Sequence, residues 1–426
     1  MDLTCKVQIS PSCEASEKLW EVSRLCSELW NGLLTQRRNY HLYGKTNKFE
    51  QKKALPLIKK ELPEFKTPSS QVLQEVVLDL DRSYQMFFTK LKNGDREVKP
   101  PRYKSRRFFY TQTYCQPEKS FILEDGLLKL AFGKSKKDWI QIDASHVKVD
   151  KPKTVKIKYD AISGKWYAMF SYEVQEADLM TFGHKLYFDP GCKTSLTGIK
   201  TTGEFFEYDF NPLRKLNMST YKLIDALKSR RDKLKSRKSK AWRRLNRRIQ
   251  VLFRKIDTRT KMYLHTLANK ILEDHEDVTH FMVGDWDKRK TLADTDNSIV
   301  NKSINRAVQN NNPLGTLFDI LKYKSRRTGR RTKKFDERGT TRTCSKCDHV
   351  YEKGISPTIR VFRCEKCGFK FPRDLQSTLN FLKRYEPAVW RGLSGNLADS
   401  SRKLELAPFS CKPQRSVAHV TAFQTS

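Results

Sequence analysis

The sequence predicts a multidomain α/β protein, and three observations carry that reading. Its 426 residues allow two or three domains, and 38% hydrophobic residues are enough for buried cores. The apolar periodicity changes along the chain, from helical spacing to strand alternation and then to a mixture of both. Two C-x2-C pairs, Cys344/Cys347 and Cys364/Cys367, mark a small metal-built module near the C-terminal end.

The opening LTCKVQISP alternates as a strand does. EASEKLWEVSRLCSELWNGLLTQ then places Leu19, Val22, Leu25 (or Cys26) and Leu29 on one helical face. A second helix over SSQVLQEVVLDLDRSYQMFFTKLKNG aligns Leu73, Val76 or Val77, Leu80, Tyr84 and Phe87, and Gly94 ends it. From Glu97 to Val174 the pattern turns to strands (FFYTQTYCQ, SFILEDGLLKL, WIQIDA, KTVKIKYD, KWYAMFSYEV) separated by EDG and DAISGKW turns. This predicts an antiparallel barrel or sandwich that includes the first strand, with the helices as an insertion.

KLYFDPGCKTSLTGIKTTGEFFEYDF reads as a buried strand followed by a hairpin. Two long helices span Ser219 to about Leu272, with Leu245, Ile249, Leu252 and Ile256 in one stripe. VTHFMVGDW is a further strand, NPLGTLFDILKYKSRR a helix and RTKKFDERGTT a strand. PRDLQSTLNFLKRY starts a helix with Pro372 near its first turn. Beyond about Pro387 the pattern fades into a polar tail expected to be disordered.

Charge narrows the partners. The chain holds 84 Lys+Arg against 48 Asp+Glu, a formal +36, with 11% aromatics, which fits a polyanion and first of all nucleic acid. No apolar run reaches the length of a membrane span and no signal peptide is read at the start, so a soluble, intracellular protein is expected. Six of the ten cysteines are scattered singly, unlike a secreted disulfide framework.

The paired cysteines predict a structural Zn2+. Two knuckles present four thiolates, and four protein ligands close the tetrahedron, which leaves no open position for catalysis. Asp189 ends an apolar strand before Pro-Gly, Asp285 follows another strand, and Asp374 opens a helix. Singly these are ordinary turn or helix-start acids. Together, at the ends of three separated segments, they suggest a metal-dependent phosphodiester cleavage site using two Mg2+ ions.

SSQVLQEVVLDLDRSYQMFF, PPRYKSRRFFYTQTY, FDPGCKTSLTGI, TTRTCSKC and CEKCGFKFPRDLQSTLNFL, in this order, resemble TnpB, the transposon-encoded RNA-guided nuclease related to type V CRISPR effectors and to the Fanzor proteins. The resemblance runs to about Tyr385. It implies a RuvC (RNase H-like) nuclease domain over 184–338 and 373–395, interrupted by a zinc-finger module over 339–372. It further implies a wedge β-barrel over 1–15 and 96–183, with a helical recognition lobe inserted over 16–95, before a disordered tail at 396–426. The implied activity is cleavage of double-stranded DNA beside a short target-adjacent motif. The guide would be an omega-type RNA from the transposon end, in a monomeric ribonucleoprotein located in cytoplasm, nucleoid or nucleus according to host.

By position, the resemblance assigns the first RuvC aspartate to Asp189 and the third-motif aspartate to Asp374. The middle motif departs: where the family usually has Glu-Asp-Leu, this chain has Gly284, Asp285 and Trp286. Some TnpB branches and Fanzor proteins lack that glutamate and carry another acid just before the zinc module, a place Glu337 occupies. Asp285 is the alternative third acid. A third reading is a silent site, that is, a catalytically inactive RNA-guided DNA-binding protein.

Between Lys228 and Arg254 there are thirteen Lys/Arg and one Asp, too many cations for pairing along a helix, so Arg243, Arg244, Arg247 and Arg248 are expected to contact phosphates of a guide RNA–target DNA duplex. PPRYKSRRFFYTQTY, with Arg102 and Lys104, interleaves aromatics and cations, either to stack on RNA bases or to fill the barrel core. A zinc-ribbon nucleic-acid binder without a guide is the reading from another class, and it leaves FDPG and the helical insertion unexplained.

Overall fold

The computed structural model describes residues 1–191, 196–234, 236–237, 239–285, 313–352, 355 and 359–393. The tail at 396–426, Trp286, and Lys235 and Lys238 of the basic run lie outside the described residues. The chain divides into two compact units, Met1–Val174 and a second from Gln175 onward.

In the first unit, β1 (Asp2–Ile9) pairs along its length with β7 (Lys165–Glu173), from Asp2↔Glu173 to Ile9↔Trp166. β6 (Thr154–Asp160) and β2 (Gln112–Tyr114) complete a four-stranded antiparallel sheet in the order β1-β7-β6-β2. A second sheet joins β3 (Phe121–Glu124), β4 (Leu127–Leu130) and β5 (Ile140–Asp143). The β3–β4 turn runs through Asp125 (φ 48°) and Gly126 (φ 73°), the left-handed pair that a two-residue hairpin requires.

Since β1 lies beside strands that come more than 140 residues later, the helices are an excursion between β1 and β2. α1 (Cys13–Arg38) starts at Ser12, whose hydroxyl accepts the Ala15 N–H, and it buries Leu19, Val22, Leu25, Cys26 and Leu29. The short helices α2 (Tyr40–Tyr43), α3 (Lys48–Lys53) and α4 (Leu55–Glu61) lead to α5 (Ser70–Lys92). α5 buries Val72, Leu73, Val76, Val77 and Leu80, while Tyr84 and Phe87 further along are only partly buried. Both helices and both sheets share one apolar core.

The second unit is built on a five-stranded sheet. β8 (His184–Pro190), β9 (Leu196–Lys200) and β10 (Phe205–Tyr208) form an antiparallel meander. β11 (Val278–Gly284) and β12 (Arg331–Phe335) add in parallel on the other side of β8, giving the order β10-β9-β8-β11-β12. This is a RuvC-like α/β arrangement. Side chains alternate across the sheet. Leu186, Phe188, Phe281 and Val283 face one core with α7 (Lys240–Asp274) and α8 (Leu314–Arg327), and α6 (Asn211–Asp232) contributes Leu213. Tyr187, Ile199 and Phe335 face another core, under α9 (Arg373–Tyr385) and α10 (Pro387–Leu393).

α6 and α7 continue as a pair closed by Ile224, Leu227, Ile249 and Ile256. Between β12 and α9 the chain forms the cysteine module, with a two-stranded ribbon of β13 (Val361–Arg363) and β14 (Lys370–Pro372). Glu337 is not on a strand, as the sequence had suggested: β12 ends at Phe335, and Glu337 sits two residues on, in the turn entering the module.

Candidate active site and metal centres

The four cysteine sulfurs lie within 4.8 Å of one another. Cys344 Sγ is 3.7 Å from Cys367 Sγ, and Cys347 Sγ is 3.5 Å from Cys364 Sγ. A tetrahedron with bonds of about 2.3 Å has edges of about 3.8 Å, so the donor set fits Zn2+. Each knuckle turns the same way: Asp348 N–H bonds to Cys344 O at 3.1 Å and Gly368 N–H to Cys364 O at 2.9 Å. The residue after each second cysteine is left-handed, Asp348 at φ 61° and Gly368 at φ 69°. Phe362 fills the module beside the thiols.

The acids gather at one end of the RuvC-like sheet. Asp189 is the penultimate residue of β8 and shares the Tyr187 face, which carries α9. Its register partner is Thr197, which pairs in turn with Glu207, so the three side chains form a row on one face. Gly284, one residue past the Phe188↔Val283 pair, continues that row on β11. From above, Ser377 of α9 donates its hydroxyl to Asp189 Oδ2, and Asp374 lies one turn earlier on the same helix.

Electrostatics tie these acids together. Burial is the main cause that pushes the Asp189 carboxyl up to about 7; nearby Asp374 raises it further, while the Ser377 hydrogen bond opposes the shift. Burial likewise pushes Glu337 up to about 8, helped by Asp189, Asp285 and Asp336. Glu337 Oε2 is buried with no hydrogen-bond partner. Asp374 is flanked by Arg360 Nη1 at 3.6 Å and Arg373 Nε at 3.5 Å. Asp285 differs: it is exposed, and its Oδ1 accepts from Lys334 Nζ at 2.7 Å.

An orphaned carboxylate oxygen beside a second acid, both held above their ordinary range by burial, fits a divalent cation, whose charge offsets what the protein leaves uncompensated. The acids are spread more widely than the thiols: among the described residues, only the cysteines form a group of three or more donors all within 4.8 Å. A pair of ions about 3.5–4 Å apart suits such a spread.

A hydrogen-bonded seam along α9 holds the turn that carries Glu337. Gln376 Nε2 bonds to Thr343 O at 2.6 Å and accepts from Ser345 Oγ at 2.7 Å. Asn380 Nδ2 reaches Thr340 O and Thr343 O, both at 2.7 Å. Arg384 Nη1 bonds to Arg338 O at 3.0 Å and Tyr385 Oη to Asp336 O at 2.7 Å. Gln376, Asn380 and Arg384 recur every four positions, with Tyr385 next to the last, so one face of the helix binds the module's base.

The sequence reading missed Ser377, Glu207 and this seam. The hydroxyl after PRDLQ and the polar residues at helical spacing were visible, but only the sheet register brings Glu207 into the row. Arg243, Arg244, Arg247 and Arg248 are all exposed on α7. In the first unit PPRYKSRRFFYTQTY divides: Phe109, Tyr110 and Tyr114 are core, whereas Tyr103 and Phe108 are exposed. Arg102 is exposed, and Lys104 Nζ lies over the Trp30 and Phe108 rings at 4.5 and 4.6 Å. No helix among the described residues is long and apolar enough to cross a membrane.

Residues 315–381 match the family model of the Cas12f1-like TNB domain. The TnpB-like proteins L770 and R854 of Acanthamoeba polyphaga mimivirus are each 22% identical over 363 residues, covering 79% of this chain. The chain spans 62% and 61% of the length of those two relatives. The fold is similar to that in the Cas12f1–sgRNA–target DNA complex, with TM-score 0.61 at 13% identity over 89% of this chain and 98% of the other. It is also similar to the mini-RNA-guided endonuclease CRISPR-Cas_phi3, with TM-score 0.52 at 12% identity over 90% and 92%. The RuvC-like sheet, the inserted cysteine module and these relatives make the chain similar to the TnpB proteins and type V effectors.

Proposed function

We propose that this protein is an RNA-guided, Mg2+-dependent DNA endonuclease that cleaves double-stranded DNA beside a short target-adjacent motif. The observation that carries the reading is the cluster of acids at the sheet end: the Asp189 charge helps raise the buried Glu337, whose Oε2 has no partner, and Asp374 stands one helical turn from Ser377. In this reading Asp189, Glu337 and Asp374 hold two Mg2+ ions, which when bound activate water and stabilise the leaving oxygen of the phosphodiester. Ser377 orients Asp189 through its hydrogen bond, and Arg360 and Arg373 fix Asp374. Asp285, turned to solvent and paired with Lys334, is the weaker candidate for third acid.

The remaining assignments rest on the resemblance to TnpB. Residues 1–15 and 96–183 serve as the wedge, 16–95 as the recognition lobe, 184–338 with 373–395 as the nuclease, and 339–372 as a Zn2+ finger for target nucleic acid. The guide is an omega-type RNA in a monomeric complex. The exposed Arg243, Arg244, Arg247 and Arg248 track the phosphates of a guide–target duplex, which is read by shape while pairing supplies sequence. Arg102 and Lys104, beside the exposed Tyr103 and Phe108, serve RNA.

The test is cleavage of target DNA by the protein with its guide, with and without Mg2+, compared with Asp189→Asn. Mg2+-dependent cutting that Asp189→Asn loses, with DNA binding kept, is the expected result. Guide-directed binding without cutting by the unaltered protein would make it a silent RNA-guided binder instead.

A further inference from the structure

We infer that Gly284 is a positioning residue: its missing side chain is the space in which the Glu337 carboxylate sits, so the glycine at 284 and the acid at 337 are one structural change. This rests on the reading of Glu337 as a metal-binding acid.

Gly284 ends β11 and points, by register, to the face shared by Asp189. A Cβ placed there would overlap Glu337 Oε2 outright and would stand 2.9 Å from Glu337 Cδ and 3.0 Å from Pro190 Cδ. Real Cβ atoms do not approach so closely, so something has to move. Pro190 is a ring on the strand beside Asp189 and cannot swing away. Glu337 is the end of a flexible side chain and can. Any residue at 284 other than glycine therefore displaces the carboxylate rather than unfolding the sheet. Backbone conformation does not explain the glycine, since Gly284 is not among the residues with positive φ. A side-chain acid at 284 and a carboxylate from 337 compete for one volume, and this chain resolves the competition in favour of 337.

A double-mutant cycle on the full chain tests this, with Mn2+ alone as the probe, binding followed by electron paramagnetic resonance, and thermal unfolding measured without added Mn2+. Gly284→Ala should weaken Mn2+ binding about tenfold, as Glu337→Ala does, while unfolding stays close to the unaltered protein. In the Glu337→Ala background, Gly284→Ala should cost nothing further, because the methyl then meets empty space. If Gly284→Ala lowers the unfolding temperature, Gly284→Ala/Glu337→Ala should restore it; failure to restore it overturns the inference. Gly284→Ala binding Mn2+ normally while Glu337→Ala does not would overturn it too and leave the reading of Glu337 intact. Normal Mn2+ binding by Glu337→Ala would instead sink that reading itself.

Discussion

Replacing Glu337 by Gln should make the Mg2+-free protein more stable at neutral and alkaline pH while removing the proposed nuclease activity. Glu337 titrates at about 8 in the fold against an ordinary 4.5, chiefly because it is buried. A carboxyl whose folded value is raised binds more protons folded than unfolded, so its contribution is fully present below pH 4.5 and is lost as pH rises to about 8. At 1.36 kcal/mol per pH unit the loss reaches about 3 kcal/mol by pH 7. Part of the shift comes from the neighbouring charges of Asp189, Asp285 and Asp336, so about 2 kcal/mol is assigned to the burial of Glu337 itself. Gln keeps the shape and loses the charge. Thermal unfolding in Mg2+-free buffer at constant zinc should show Glu337→Gln unfolding about 4–8 °C higher than the unaltered protein at pH 8, with the curves converging toward pH 5. Added Mg2+ should close the gap, because it stabilises the form that binds it better. A variant equal to or less stable than the parent at pH 8, or a difference that does not depend on pH, would refute the argument.

Three further outcomes are expected. Cys364→Ser should leave purified protein with substoichiometric zinc by elemental analysis and loosen residues 339–372 to proteolysis, with cleavage lost through the displaced turn at Glu337. Reversing charge at Arg243, Arg244, Arg247 and Arg248 together should weaken nucleic-acid binding broadly and flatten its salt dependence without changing which sequence is chosen, read from binding isotherms at several salt concentrations. His275, whose value burial lowers to about 4, stays neutral in the fold while the unfolded chain protonates; stability should therefore fall between pH 6.5 and 4, by about 3 kcal/mol at most, and His275→Gln should flatten that part of the unfolding profile.

Much of this architecture is legible before any coordinates. The Cys spacing names its four ligands because a knuckle is a local object, set by a turn of four residues. The strand ends at Asp189 and Gly284 are legible because the apolar runs preceding them are unbroken. What the sequence cannot carry is register. Nothing local says that Glu207 stands in line with Asp189, since that follows only from Asp189↔Thr197 and Thr197↔Glu207. The exposed and buried aromatics of PPRYKSRRFFYTQTY look alike as letters, and only packing separates Phe108 from Phe109. Glu337 reads as a strand residue when RTKKFDERGTT is taken as one strand, yet pairing stops at Gly284↔Phe335, where β11 ends.

The insertion of the cysteine module between β12 and α9 then has a physical sense. Asp189 is held by a sheet, and Asp374 by a helix that packs on it, so both are fixed by ordinary core contacts. Glu337 sits in a turn, whose backbone has no ladder to fix it. The seam supplies what the ladder does not: Asn380 and Gln376 take the carbonyls of Thr340 and Thr343, and Arg384 and Tyr385 take those of Arg338 and Asp336. These donors sit on the helix that also carries Asp374. A displacement of α9 therefore moves both acids together, so their mutual geometry survives motions that would separate acids held by independent elements. An ion bound by the four thiolates would fold the module, and the folded module sets the path of the chain from 336 to 345. A structural metal would in this way act on the proposed chemistry only through the backbone it orders.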